Sequence, residues 1–272
     1  MTEVRAIVMA GNGTNCEMEM AYACRLGGAD VVDIVSIYDL LAGERKLDDY
    51  HFLNLPGGFL DGDDLGSAKA AANIYANAKA GGTDEALREQ LGRFVEAGKL
   101  ILGVCNGFQL LIKLGLVPAI EGRYFDQQAT LTFNDSGRFE DRWVNLGIDA
   151  QSPCIFTKGL ERIELPVRHG EGKVVVGSDA VLESIQKGHA VLRYLDAENG
   201  EPTQDYPANP NGSVDSIAGI CDASGRIFGL MPHPEAFLHY TNHPRWTRES
   251  RQEEGDGLAF FRNAVDYLRE NL

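Results

Sequence analysis

The stretch Lys99–Gly115, KLILGVCNGFQLLIKLG, decides the architecture of this chain. Its first part, Leu100-Ile101-Leu102-Gly103-Val104, is an apolar run short enough for a buried strand. Its second part, Phe108-Gln109-Leu110-Leu111-Ile112-Lys113-Leu114, suits a buried helix. Cys105 falls at the junction, within Gly103-Val104-Cys105-Asn106-Gly107. A strand that turns directly into a helix holds its corner residue in a strained backbone, and nearby glycines let the two elements approach closely. A nucleophilic serine occupies such an elbow in other enzymes, and here the nucleophile would be sulfur. The helix N-terminus supplies partial positive charge and unpaired N–H groups, which favour a thiolate. A cysteine after an apolar strand is also commonly a small core residue. The partners found elsewhere in the chain decide between the two.

Working upstream, His51–Leu55 is another apolar strand, and it ends in Pro56-Gly57-Gly58-Phe59. A glycine pair directly after a strand lets backbone N–H groups point at a ligand, since no side chain shields them. Val4–Ala10 reads as the first strand. Thr14 and Glu17 have capping-box spacing ahead of Met18, Ala21, Tyr22 and Leu26 at helical period, and Val31–Ile37 follows as a second strand. Helices are expected over Ser67–Ala80 and beyond a cap at Thr83, with Gly98 ending the latter. Gly11-Asn12-Gly13 lacks the third glycine of a dinucleotide fingerprint, position 16 being cysteine, and no P-loop is present.

Downstream of Ala129 the texture changes to short strand-like runs: Ala129–Phe133, Trp143–Ile148, Cys154–Phe156, Val174–Val176, Ala190–Leu195, Ser216–Cys221 and Arg226–Met231. A helix is expected at Asp179–Lys187, a proline-rich surface loop over Glu198–Gly212, and a last helix at Leu258–Leu268. The polar stretch from Thr241 to Gly257 reads as a solvated loop, with an ordered lid or a partner contact as the alternative. The expected fold is α/β: a flavodoxin-like, mostly parallel central sheet flanked by helices, with additional antiparallel strands in the second half. With no linker and no repeat, residues 1–272 read as one domain.

Composition narrows the function. The chain has 272 residues and a net charge of −15, from 40 acidic and 25 basic side chains. That argues against a nucleic-acid surface, which needs clustered Lys and Arg. Five cysteines without paired spacing suggest a reducing compartment. Neither C-x-x-C nor H-E-x-x-H occurs, so no metal site is expected. There is no signal-peptide pattern and no apolar run near the roughly 20 residues a membrane span needs. These observations point to a cytoplasmic protein.

The second half of the site follows the strand Ile227–Met231, in Pro232-His233-Pro234-Glu235. Two prolines stiffen this turn. An extended backbone would place His233 and Glu235, two apart, on one side. A thiol nucleophile needs a base to take its proton and return it to the leaving group, and histidine suits both steps near neutral pH. A carboxylate on the other ring nitrogen orients the base and stabilises imidazolium. Cys105, His233 and Glu235 would form a Cys-His-Glu triad.

Gly103–Gln109, Pro56-Gly57-Gly58 and His233-Pro234-Glu235 together resemble the three signature motifs of class I glutamine amidotransferases. NDSGRF at 134–139, PVRHGEGK at 166–173 and NPNGSVDSIAGICD at 209–222 are similar to segments of the glutaminase subunits of phosphoribosylformylglycinamidine synthase. The similarity extends over nearly the whole chain. One departure is Phe59-Leu60-Asp61-Gly62-Asp63, where many relatives have Ser-Tyr after the phenylalanine. The resemblance implies that Cys105 attacks the side-chain amide of L-glutamine, that Gly57, Gly58 and Asn106 surround the oxyanion, and that Gln109 reaches the bound substrate. It implies no cofactor in this chain. Ammonia would pass to a separate ATP-dependent synthase subunit, where ATP and magnesium are expected, and a small third subunit would complete the complex. His169 would either contact substrate or synthase, or sit in a loop held by two glycines. The alternatives are a class I glutaminase subunit serving another acceptor, or a non-catalytic binding subunit with the same fold.

Overall fold

The computed structural model describes residues 3–81, 83–248 and 254–272. Its centre is a nine-stranded sheet. The first four strands are β1 (Arg5–Ala10), β2 (Val31–Ser36), β3 (Phe52–Leu55) and β4 (Leu100–Val104). Along these run the helices α1 (Glu17–Leu26), α2 (Ile37–Ala42), α3 (Lys69–Asn77), α4 (Leu87–Glu96) and α5 (Asn106–Lys113). The second half adds β5 (Ala129–Phe133), β6 (Glu140–Ile148), β7 (Arg162–His169), β8 (Glu171–Val176), α6 (Asp179–Ser184), β9 (Ala190–Leu195), β10 (Ile217–Cys221), β11 (Ile227–Leu230) and α7 (Leu258–Asn271).

The sheet order is β2-β1-β3-β4-β11-β10-β9-β6-β7, and β5 pairs with β8 in a separate two-stranded sheet. Strands β2, β1, β3, β4 and β11 are mutually parallel. From β11 outward through β10, β9, β6 and β7 every pairing is antiparallel. The parallel half has the order of a flavodoxin-like sheet. The chain leaves β1 toward β2 and β3 toward β4 in opposite directions. Right-handed crossovers therefore put the intervening helices on opposite faces of the sheet. β3 and β4 are buried at every residue, as strands covered on both faces must be.

The elbow is built by close approach. A Cβ on Gly107 would strike the Leu55 carbonyl, and one on Gly103 would lie 2.6 Å from Leu111 Cδ1. These glycines let α5 press directly against the ends of β3 and β4.

Several local expectations need correction. Thr14 does not cap α1. It bridges to Gly58, and Cys16 occupies the N-cap without a side-chain cap bond. Thr83 does not cap α4 either: its Oγ1 accepts from Glu85 N in a preceding turn, and the helix begins at Leu87. Cys154–Phe156 is not a strand. A 3₁₀ turn over Ile155–Thr157 swings Phe156 between Phe52 and Phe228. α2 begins at Ile37, which the sequence reading gave to the end of the second strand, and is started by Ser36 Oγ accepting from Tyr38 N. β7 went unread because Pro166 interrupts it, and it is tolerated because β7 is an edge strand. Residues 249–253 of the 241–257 stretch lie outside the described residues. Earlier in that stretch His243 is buried, with Nε2 3.2 Å from a Glu164 carboxylate oxygen and its ring edge-on to Trp143.

Candidate active site

The loops leaving β1, β3, β4 and β11 converge at the carboxyl edge of the parallel half, where open α/β sheets bind ligands. Cys105 follows β4 with φ +52° and ψ −104°, a region few non-glycine residues enter. Such strain persists only where its surroundings fix it. Here Cys105 N donates to Leu230 O of β11 at 2.8 Å, and Cys105 O accepts from Gln109 N at 3.0 Å. Pairing of Val104 with Leu230 thus places the nucleophile candidate beside the segment that carries the histidine.

His233 is fixed by its own backbone, which donates to Pro166 O of β7 at 2.8 Å. Its Nδ1 lies 2.5 Å from Glu235 Oε1. The expected extended backbone is absent: Pro234–Ala236 form a 3₁₀ turn that still folds the carboxylate back onto the ring. Both side chains are almost wholly buried. His233 Nε2, the nitrogen not engaged by Glu235, has no hydrogen-bond partner among the described residues. Gly57 separates the elements. A Cβ there would sit 2.8 Å from His233 Cε1, 3.3 Å from Cys16 Sγ and 3.5 Å from Cys105 Cβ. Only glycine leaves room for these three side chains to meet.

Gly58 has φ +142°, and a Cβ would meet Gly13 O at 2.5 Å. Phe59 N donates to Gly13 O and Asn15 N to Gly57 O, pinning the turn. The N–H groups of Gly58 and Asn106 donate to no protein acceptor among the described residues. The Asn106 side chain is structural: Oδ1 accepts from Leu60 N at 3.1 Å and Nδ2 donates to Gln109 Oε1 at 3.0 Å. Gln109 Nε2 in turn donates to Glu171 O at 2.6 Å, tying α5 to the β7–β8 turn.

Cys105 and His233 face a common cavity of about 510 Å³, whose wall also includes Gly58, Gln109, Arg168, His169 and Glu171. The β7–β8 turn is held by Asn134. Its Nδ2 donates to His169 O and Arg138 O, and its Oδ1 accepts from Gly172 N at 3.1 Å. Asn134 Oδ1 is also 3.1 Å from His169 Nδ1. Ser213 Oγ accepts from Val174 N and donates to Gly172 O, so the 209–222 segment braces the same turn.

Electrostatics separates the two histidines. Burial opposes charging His233. The Glu235 carboxylate, together with the adjacent Cys105 and Cys16 thiols, outweighs it and holds the pKa well above the ordinary value. For His169 burial dominates, reinforced by the nearby His233, and the pKa falls to about 3. His169 is therefore neutral at pH 7 and faces the cavity as a polar wall group.

Comparisons with known proteins place the chain in a family. Residues 3–268 match the family described as CobB/CobQ-like glutamine amidotransferase domain. The chain is 46% identical over 271 residues to the phosphoribosylformylglycinamidine synthase subunit PurQ of Dehalococcoides mccartyi, covering 99% of this chain and 100% of that one. The PurQ subunit of Methanococcus maripaludis is 40% identical, with 98% of each chain covered. The chain belongs to the PurQ family of glutamine amidotransferases. Among solved structures, that of PurLQS from Thermotoga maritima superposes with a TM-score of 0.71 at 31% identity, over 98% of this chain and 100% of that chain. A glutamine amidotransferase from the same organism, 16% identical with a TM-score of 0.55, shares the fold.

The sequence reading named Cys105, His233, Glu235, Gly57, Gly58, Asn106 and Gln109, and the structure gathers these seven around one sheet edge. It missed Cys16, Glu19, Phe133 and Phe139, which also line the cavity. Cys16 carried a usable signal, since it stands directly after the first βα turn.

Proposed function

We propose that this chain is the glutaminase subunit of phosphoribosylformylglycinamidine synthase. It hydrolyses L-glutamine and passes the ammonia to an ATP-dependent synthase subunit that converts formylglycinamide ribonucleotide in purine biosynthesis. The observation that carries the reading is Cys105 on a strained elbow, facing a buried His233–Glu235 pair within one cavity. The cavity is of a size that suits a small ligand.

Glutamine enters with its side-chain carbonyl carbon over Cys105 Sγ. Attack forms the C–S bond while His233 holds the thiol proton. The carbonyl electron pair moves to oxygen, and that oxyanion receives the free N–H groups of Gly58 and Asn106. Preorganised donors of this kind contribute about 2.7–4 kcal/mol each. The tetrahedral intermediate collapses, the C–N bond breaks, and His233 delivers its proton to the departing ammonia. Water, deprotonated by the same imidazole, then cleaves the γ-glutamyl thioester to give glutamate and regenerate Cys105. Glu235 keeps the ring oriented and stabilises the imidazolium in both halves. Burial raises the pKa of Cys16, partly offset by contact with His233, so it remains a thiol at neutral pH and does not compete as nucleophile. Around the mouth, Arg168 and the acidic side chains of Glu19 and Asp63 offer opposite charges to the α-carboxylate and α-ammonium of the substrate.

Ammonia is useful only if captured, which calls for the synthase partner. ATP and magnesium belong to that partner, and a small third subunit completes the assembly. The solved structure of PurLQS from Thermotoga maritima supports such a complex. Five free, buried thiols suit a reducing, cytoplasmic setting, and no described helix is long and apolar enough to cross a membrane. The test is glutamate release by the purified chain with its synthase, coupled to product formation. Equal glutamate and product support the reading, and no glutamate from the assembled complex would end it.

A further inference from the structure

Cys16 has no part in the reaction, yet it stands inside the catalytic constellation. Its Sγ donates to Asn15 Oδ1 at 3.1 Å and lies 4.0 Å from His233 Nδ1. One ligand atom each from Cys16, His233 and Glu235 falls within 4.8 Å of the others, and all three residues are buried. The second carboxylate oxygen, Glu235 Oε2, is buried without a hydrogen-bond partner among the described residues. We propose that Cys16 Sγ, His233 Nδ1 and the Glu235 carboxylate form a Zn²⁺ site whose occupation shuts off the glutaminase.

The donor set selects the ion. Thiolate and imidazole favour Zn²⁺ over the hard cations Mg²⁺ and Ca²⁺, which need oxygen ligands. Zn²⁺ binds such atoms at about 2.0–2.3 Å in a tetrahedron, which holds them roughly 3.3–3.6 Å apart. The present separations bracket that range, 2.5 Å for Nδ1 to Oε1 and 4.0 Å for Sγ to Nδ1. Small side-chain shifts suffice, and water fills the fourth position. No spacing motif announces the site, because its ligands come from opposite ends of the chain.

The inhibitory half of the proposal rests on His233 acting as the base. Binding breaks the S–H bond of Cys16, whose proton leaves to solvent, and the sulfur lone pair goes to the metal. Nδ1 also donates its lone pair, the proton it shares with Glu235 leaving to solvent, and the one proton that remains on the ring sits on Nε2. That nitrogen can then no longer accept the proton of Cys105. Glu235, drawn onto the metal, stops orienting the ring.

The test is titration of the full-length chain with Zn²⁺ by calorimetry, with Co²⁺ as a spectroscopic substitute. Wild type and Cys105→Ala should each bind one equivalent and give a thiolate-to-cobalt charge-transfer band. Cys16→Ala and the size-conserving Cys16→Ser should lose the band and weaken binding at least about 10- to 100-fold. In the assembled complex Zn²⁺ should suppress glutamate release and a chelator should restore it. Cys16→Ser should escape inhibition relative to its own metal-free rate. Unchanged affinity in folded Cys16→Ser, or loss of binding in Cys105→Ala, would overturn the site. Binding without inhibition would overturn its function. A complex inactive before any metal is added would count against the glutaminase reading and leave the binding titration interpretable.

Discussion

The parallel and antiparallel halves of the sheet meet at one cavity but supply it differently. β3, β4 and β11 each end in a short segment that presents a reacting group or an N–H donor: Gly57-Gly58, Cys105 and His233. Their positions follow from strand pairing and from glycines that permit close backbone approach. The antiparallel half supplies a wall. The β7–β8 turn, with Arg168, His169 and Glu171, covers the site and is held by hydrogen bonds from Asn134 and Ser213, distant in sequence. Chemistry is therefore concentrated in local motifs on rigid strands, and substrate enclosure in a turn braced from three directions. Substitutions on the parallel edge should act on kcat, and those on the wall on KM and stability.

The largest effect is expected at Cys105. Cys105→Ala should lower glutamine hydrolysis by about 10⁴- to 10⁶-fold, while ammonium still sustains synthesis by the complex. Loss of the ammonium-dependent rate would show that the parallel edge does more than supply ammonia. Glu235→Gln keeps the shape but removes the charge that raises the His233 pKa. It should reduce kcat by about 10²- to 10⁴-fold with KM nearly unchanged, measured by steady-state glutamate release. Gly58→Ala places a Cβ against Gly13 O at a φ of +142°. Displacement of its N–H should lower kcat by about 10²-fold, with circular dichroism confirming the fold.

On the wall, Asn134→Ala removes a side chain that engages His169, Arg138 and Gly172. It should destabilise the protein by about 1–3 kcal/mol in denaturant titration and raise KM more than it lowers kcat. The reverse pattern would erase the division between the halves. The mildest test is pH. His169 titrates at about 3 folded, against an ordinary value near 6.5. Between those limits the unfolded chain binds more protons, so His169 lowers stability as pH falls, by about 1.4 kcal/mol per unit. His233 has the opposite sign: its raised pKa stabilises fully below the unfolded value, and the contribution fades as pH rises through the folded one. Acid denaturation of His169→Gln should show a shallower slope from pH 6.5 downward.

This division also governs what could be read from the sequence. The elbow and His-Pro-Glu were legible because strand, nucleophile and helix are contiguous and the prolines fix the second turn. The parallel order followed from strand and helix alternation. β7 was not legible, since its proline breaks the pattern and only its edge position makes it acceptable. NDSGRF was legible as a point of resemblance, and its work, in bonds from Asn134 to a segment 35 residues away, was not. Cys16 escaped notice because its neighbour His233 lies 217 positions on. The cap at Thr14 was displaced by a tertiary bridge to Gly58 that local spacing does not contain, and the one at Thr83 by a local turn from Ala80 to Glu85.

The central claim is that Cys105 reacts with assistance from His233. Electrophilic labelling of the assembled complex with a γ-diazoketone analogue of glutamine, read by intact and peptide mass, tests it most directly. The account predicts one adduct per chain, on Cys105, absent in Cys105→Ser and formed far more slowly in His233→Ala. An adduct on Cys16 or another thiol, or a labelling rate indifferent to His233, would contradict it.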